Sequence, residues 1–500
     1  MTEMPISVQD ALWLNMDRPN NLMIIDSIMW LKGQPDWDAV KQIVAERMVE
    51  SFPVFSAVAQ RRDDGYVWVP DPDFDIDNHV KFAPLEDPHL AEVQDFVASQ
   101  RSVPLPADRP LWVFHLIPNV TDESGHDLGA VILSRIHHSI ADGVRLVQVT
   151  LGLCDPVDGG AAVEATVGKG RAGDPDKGKP SLGEFTKQVV GGAVDGVRDG
   201  VGKAVSAATD PIGTVKSAVS DGQELVEFIG DPGRLVDAFT ALAPVPGEAT
   251  NTLASVAKLG LSGPSVDTIW SGTPGVAKTA EWVDAMSLDK IKEIGQRTGT
   301  TVNDVLLAMV AGTLQQYLAE HDASVDEVMW MVPVSVKPFD PGMPKELGNH
   351  FALIAFQMPL NIDDRKQRLF EVNRRINRIK NSKEAVITFG VQRVISETPE
   401  RLSVFLTNFF ANKAVGVLTN VPGPRSQIAL AGTPVEAMLG WAPCSGDQPM
   451  TICIFSYNGR VHVGFGTDAT LVPDAERLPQ IFADEARALY STVTGKDPAI

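Results

Sequence analysis

The 500-residue sequence predicts an α/β protein made of two similar blocks joined by a long connection. Two observations predict it. Short runs of β-branched and aromatic residues alternate with segments of helical apolar periodicity, first over residues 1–155 and again over 286–500. Between them, residues 156–285 change character, beginning with a Gly-, Asp-, Lys- and Pro-rich stretch from Asp155 to about Ser181. The length suffices for a separate core in each block.

In the first block, Ser7 is placed to cap a helix over Val8–Leu14, and Met23–Trp30 supplies the first strand. A helix is expected over Asp38–Val49, a strand or loop at Phe52–Phe55, a strand at Tyr66–Val69 and a helix over Leu90–Val103. His79, after the Pro-Asp turn, reads as a structural histidine. Prolines 104, 106 and 110 fix an extended passage into an aromatic-rich strand, Leu111–Ile117, and Asn119–Asp127 is a polar turn. The apolar run Val131–Ile136 then reads as a buried strand, leading into His137-His138-Ser139-Ile140-Ala141-Asp142-Gly143. Adjacent strand residues face opposite sides, so one histidine is expected to face a reaction space and the other to be held inside. Imidazole suits proton transfer near neutral pH. Asp142 can orient an imidazole or pin the turn, and Gly143 can take a positive φ or admit a close approach. Arg109 is either a solvent-facing loop residue or a buried clamp on the Asp142 carboxylate. A helix over Gly143–Leu151 closes the block.

In the connection, Phe185, Val189, Ala193, Val197, Val201 and Val205 fall on one helical face, interleaved with glycines that weaken it. This is the candidate interfacial helix, although Glu184, Asp195 and Asp199 offset Lys187, Arg198 and Lys203. A shorter helix is expected over Leu235–Leu242. In the second block, Ser287 caps a helix to about Arg297, and Thr301 to Asp304 caps one running to Glu320. Strands follow at Val328–Val336 and Phe351–Met358, then a charged helix over Arg365–Ile379 and a strand at Val415–Asn420. Thr451–Tyr457 and Val461–Gly466 form a hairpin through Asn458-Gly459, and Ala475–Leu489 is a closing helix.

Net charge is −21 and the sequence pI about 4.8, without a basic stripe, which excludes a nucleic-acid partner. Cys154, Cys444 and Cys453 do not make a disulfide framework. There is no HExxH or Cys/His cluster for a metal and no GxSxG elbow for a serine nucleophile. Met1 to Pro5 carry no secretion signal, and no apolar run approaches the roughly 20 residues of a membrane span. A reducing, cytoplasmic location is expected.

The segment His137 to Gly143 matches the HHxxxDG signature of CoA-dependent acyltransferases and peptide-synthetase condensation domains. With Pro104 to Trp112, Asn303-Asp304, Gly348-Asn349 and Asn420 to Pro424 in the same order, the chain resembles the bacterial wax ester synthase/diacylglycerol acyltransferase family. It departs from that pattern at Ser262, at Lys337 and over Ser265–Gly275. The resemblance implies two chloramphenicol-acetyltransferase-like α/β domains with the active-site channel at their interface. It assigns the catalytic base to His138, with His137, Asp142 and Gly143 supporting it. Asn303, Asp304, Arg109, Gly348 and Asn349 would bind substrate or support the site. It also implies a long-chain acyl-CoA co-substrate, no cofactor and no metal, and diacylglycerol as acceptor, with fatty alcohol the alternative. A non-catalytic lipid- or CoA-binding protein is the rival. No obligatory protein partner is expected, and contact with the inner membrane face or a lipid droplet would be peripheral.

Overall fold

The structure, a computed structural model, describes residues 3–63, 65–157, 266–335, 343–380, 388, 392, 395–396 and 400–497. The helices expected over 185–205 and 235–242, Ser262, and Lys337 lie outside the described residues.

Two seven-stranded sheets organise the fold. The first runs Val80–Phe82, Trp112–Thr121, Asp127–His137, Ile24–Leu31, Thr433–Trp441, Ile428–Leu430, Asp155–Pro156. The second runs Met286–Ser287, Arg460–Thr467, Met450–Tyr457, Gly416–Pro422, Glu327–Ser335, Phe351–Pro359, with Glu281–Trp282 also pairing to Arg460–Thr467. Gly416–Pro422 lies parallel to both neighbours and the rest of that sheet is antiparallel, so it is mixed. Each sheet carries its own core, with Trp112 and Trp441 buried in the first and Trp330 and Phe465 in the second.

Sheet membership crosses the boundary between the two blocks. Thr433–Trp441 belongs to the second block in sequence but pairs antiparallel with Ile24–Leu31, placing Trp441 opposite Asp26 and Leu439 opposite Ile28. Sequence patterning gives no strand here, because Pro434 demotes the run and a register shift between Val435 and Ala437 breaks its alternation. The helix Glu400–Ala411 was likewise unexpected.

Local chemistry explains most other elements. Ser7 caps Val8–Met16, and Thr301 with Asp304 closes a reciprocal capping box on Val302–Glu320. That helix is buried on every side from Asp304 to Leu314, because three helices pack on it within the second core. Asn458 and Gly459 take positive φ values of 45° and 75°, as a tight hairpin requires. The helix expected over Asp38–Val49 is α-helical only over Trp37–Val44 and widens to a π turn at Ala45–Val49. Phe52–Phe55 falls in a short 3-10 turn, Pro53–Ser56. His79 is held in the first core, donating from Nδ1 to the Trp112 carbonyl at 2.7 Å and stacking on Trp112.

Buried histidines give the fold a pH dependence. Burial pushes His115, His138 and His462 down to about 4, so all three are neutral when folded at pH 7. In the unfolded chain each takes a proton below about 6.5, so stability is lost as pH falls from about 6.5 towards 4, each contributing on the order of 3 kcal/mol. Glu281, pushed up to about 7 by burial, and Asp142, whose carboxyl burial also raises, work in the opposite sense to these three histidines. The urea midpoint is expected to be clearly lower at pH 4.5 than at pH 7, and an equal midpoint would refute this.

Candidate active site

The histidine strand Asp127–His137 is a central strand of the first sheet, flanked by Trp112–Thr121 and Ile24–Leu31. Main-chain pairing carries on just past its end, since His137 N donates to the Leu111 carbonyl at 3.0 Å and His138 N to the Met23 carbonyl at 2.7 Å. The chain then turns, and Asp142 caps the helix Gly143–Gly152 by accepting from Arg145 N at 2.9 Å.

The two histidines differ as strand geometry requires. His137 is locked: its Nδ1 accepts from Ser139 N at 3.1 Å and from Ser139 Oγ at 2.8 Å, and Nε2 faces Asp17 Oδ2 at 3.3 Å. His138 has no such cage. Its ring stacks on Trp13 at a centroid distance of 4.2 Å and tilts against Phe351 at 5.6 Å. Trp13, Phe351 and Asn349 also line an apolar cavity of about 130 Å³, together with Leu12, Met331 and Leu353. Burial is the main reason the His138 imidazole sits near 4, and it therefore meets a reactant at neutral pH as a proton acceptor.

One segment from the second half, Gly348 to His350, completes the site. Gly348 forms a parallel bridge with Ala141, donating to the Ile140 carbonyl at 3.1 Å and accepting from Asp142 N at 3.2 Å. Gly348 needs φ +106°, a conformation that favours glycine. The second Asp142 carboxylate oxygen accepts from His350 N at 2.8 Å. Asn349 donates from Nδ2 to the His138 carbonyl at 2.8 Å and to Asp10 Oδ1 at 2.8 Å. Asp142 thus ties the histidine turn to the opposite half while capping its own helix, and burial raises its carboxyl.

The whole chain matches known proteins at this point. The wax ester synthase/diacylglycerol acyltransferase catalytic-domain model matches residues 6–306, and the C-terminal domain model of the same family matches residues 347–490. The chain belongs to this family. A provisionally named diacylglycerol O-acyltransferase of Mycobacterium tuberculosis is 25% identical over 97% of this chain and 89% of its own length. The O-acyltransferase WSD of Acinetobacter baylyi is 22% identical, covering 99% of both chains. Among solved structures, the wax ester synthase/diacylglycerol acyltransferase of Marinobacter aquaeolei VT8 superposes with a TM-score of 0.63 at 18% identity, covering 99% of this chain and all of that one. The first condensation domain of the calcium-dependent antibiotic synthetase superposes at 0.55, with 15% identity, covering 100% of this chain and 97% of that one. These likenesses give the two-domain chloramphenicol-acetyltransferase-like fold. The family makes the protein an acyltransferase, with an acyl donor and an acyl acceptor as its substrates.

Within this family member, the motif residues fall into two groups. His137, His138, Asp142, Gly348 and Asn349 converge as described. Asn303 and Asp304 sit in the second half: Asn303 Oδ1 accepts from Asn420 at 2.9 Å, and Asp304 accepts from Asn373 at 2.7 Å and from Thr301 N at 2.9 Å. The asparagine-aspartate and Asn420–Pro424 elements are thereby joined to each other, and neither lines the cavity.

Two readings left open by the residues are decided by the geometry. Arg109 does not clamp Asp142; its side chain is about 40% exposed and pairs with neighbouring Asp108, while main-chain N–H groups occupy both Asp142 oxygens. Gly143 has no positive φ, and a Cβ there would meet no atom within 4 Å, so it contributes open space beside the motif.

Sequence reasoning missed Asp10, Trp13, Asp17 and Phe351. Asp10 stands three residues after a capping serine, which reads as local capping, and its bond to Asn349 spans 339 positions. Among the described residues no cluster of His, Cys, Asp or Glu is set to hold a metal. Burial pushes the Cys154 thiol up to about 12 and Cys444 up to about 11, which disfavours a thiolate nucleophile.

Proposed function

We propose that this acyltransferase moves a long-chain acyl group from acyl-CoA to diacylglycerol, giving triacylglycerol, with His138 as general base. The observation that carries the reading is the His138 ring, neutral at pH 7, against the aromatic wall of the apolar cavity at the junction of the two halves. The imidazole takes the acceptor hydroxyl proton as that oxygen attacks the thioester carbonyl. The C–S bond then breaks, and the departing sulfur takes the proton from the imidazolium. No acyl-enzyme intermediate and no bound cofactor enter this route. The cavity, lined by Leu12, Trp13, Met331, Phe351 and Leu353, suits a hydrocarbon chain.

A long-chain alcohol reaches the same base and gives a wax ester, the other activity in the name of the family model that matches the chain. Among the described residues no helix is long and apolar enough to cross a membrane, so the reading includes peripheral contact with a lipid surface. The test mixes purified protein with palmitoyl-CoA and equal amounts of dioleoylglycerol and hexadecanol. The expected result is equimolar free CoA and ester, with triacylglycerol exceeding wax ester. Predominant wax ester overturns the acceptor assignment, and CoA release without ester overturns direct transfer.

A further inference from the structure

The cavity beside His138 is apolar over most of its wall, but polar side chains also line it, and most of these are committed elsewhere. Thr407 donates its hydroxyl to the Ser403 carbonyl at 2.8 Å, one turn back in its own helix. Gln448 accepts from Ser445 N at 3.0 Å and donates to the Ala411 carbonyl at 3.1 Å, so both ends of its amide are engaged. Gln392 is anchored through Oε1 by Leu353 N at 3.3 Å, and Thr388 and Ser396 have partners as well. Asn349 gives its Nδ2 to Asp10 and to the His138 carbonyl.

Gln9 and Ser445 differ. Both line the cavity and both are half-buried, and among the described residues neither side chain has a hydrogen-bond partner. Gln9 precedes Trp13 by about one helical turn, roughly 5.4 Å along the helix Val8–Met16, and Trp13 stacks on His138. Residues four apart share a helix face, so the Gln9 amide stands on the cavity side a turn away from the base. Ser445 lies in the loop between Thr433–Trp441 and Met450–Tyr457. That loop is held from both halves: the Gly446 carbonyl accepts from Asn21 Nδ2 at 2.8 Å, and Asp447 N donates to Asn412 Oδ1 at 2.7 Å. These bonds fix the backbone and leave the Ser445 hydroxyl unused. A donor held in place before its ligand arrives binds with little further ordering cost.

We propose that Gln9 and Ser445 determine acceptor specificity: the Gln9 amide N–H and the Ser445 hydroxyl donate to the ester carbonyls of the acceptor and so favour diacylglycerol over a plain long-chain alcohol. The inference rests on the acceptor reading of the preceding section and adds which side chains make the choice. Ester carbonyls only accept hydrogen bonds, and in a diacylglycerol they lie a few bonds from the free hydroxyl that His138 must reach. A long-chain alcohol brings that hydroxyl and nothing for these two donors, so its binding displaces their water without replacing it. The hydrocarbon wall treats both acceptors alike, and discrimination falls to the polar groups.

The full-length protein is compared with Ser445→Ala, Ser445→Thr and Gln9→Met, using palmitoyl-CoA as donor. The acceptors are dioleoylglycerol, hexadecanol and ethylene glycol monopalmitate, a primary alcohol that carries one ester. Ser445→Ala and Gln9→Met are expected to lower kcat/KM for the two ester-bearing acceptors about 3- to 10-fold, with hexadecanol and the KM for palmitoyl-CoA within about 2-fold. Ser445→Thr keeps the hydroxyl and is expected to keep the parental preference. Equal losses on all three acceptors, or no loss on any, overturn the proposal. So does a raised KM for palmitoyl-CoA with unchanged acceptor preference, which would put these donors on the amides of the CoA arm. The glycol ester separates this proposal from the preceding section. A parent enzyme that uses hexadecanol and the glycol ester but not dioleoylglycerol overturns the diacylglycerol assignment. The ratio of those two acceptors in the variants still decides whether Gln9 and Ser445 read an ester.

Discussion

Replacing His138 with alanine is expected to lower the chemical step by roughly 10²–10⁴-fold while the chain remains folded. The expectation of an intact fold follows from how the site is tied. Asn349 bonds the His138 carbonyl and not its ring, and Asp142 bonds main-chain N–H groups of Arg145 and His350. All of these survive truncation at Cβ. What is lost is the stacking on Trp13 and Phe351, worth about 0.5–1.5 kcal/mol, plus some burial. Removing a histidine whose protonation destabilises the folded state should also make the variant less acid-sensitive than the parent between pH 6.5 and 4. CoA release in a single-turnover assay, run beside a thermal melt, separates the two effects. Near-parental turnover by a folded variant sinks the base assignment.

Asp26→Ala is expected to be among the most destabilising single substitutions in the chain, costing about 3–5 kcal/mol. Asp26 lies opposite Arg135 across two strands, and the Arg135 Nε to Asp26 Oδ1 bond measures 3.0 Å with both side chains 5% exposed or less. Arg101 adds to the charge, with its guanidinium 5.5 Å from the Trp441 ring and its Nε and Nη1 enclosed without partners. Burial and Arg135 lower the Arg101 pKa, while Asp26 supports it. Loss of Asp26 therefore strands two cations, whereas Arg135→Met leaves Asp26 beside Arg101. The denaturant midpoint should fall further for Asp26→Ala than for Arg135→Met, and Asp26→Leu combined with Arg135→Met should recover part of the loss. Equal losses from the two single variants would show that Arg101 does not share the carboxylate.

The α/β class was legible from alternating short strand and helix patterns, and the caps at Ser7, Ser287 and Thr301 and the Asn458-Gly459 hairpin were legible because each depends on a few adjacent residues. The HHxxxDG segment was legible for the same reason, including the divergence of His137 and His138, which follows from strand geometry alone. Arg109 shows the limit. An arginine between prolines reads equally well as clamp or loop, and only the occupied Asp142 oxygens decide it.

The sequence by itself determined which short segments turn, cap and alternate, and which residue types were available for proton transfer. The tertiary structure alone decided that Thr433–Trp441 pairs with Ile24–Leu31, that Asp10 meets Asn349, and that Trp13 and Phe351 form the wall beside His138. Periodicity and propensity act over a turn or a strand, and they carry no information about partners hundreds of positions away. Those partners are selected by the burial and hydrogen-bond satisfaction of the whole chain at once.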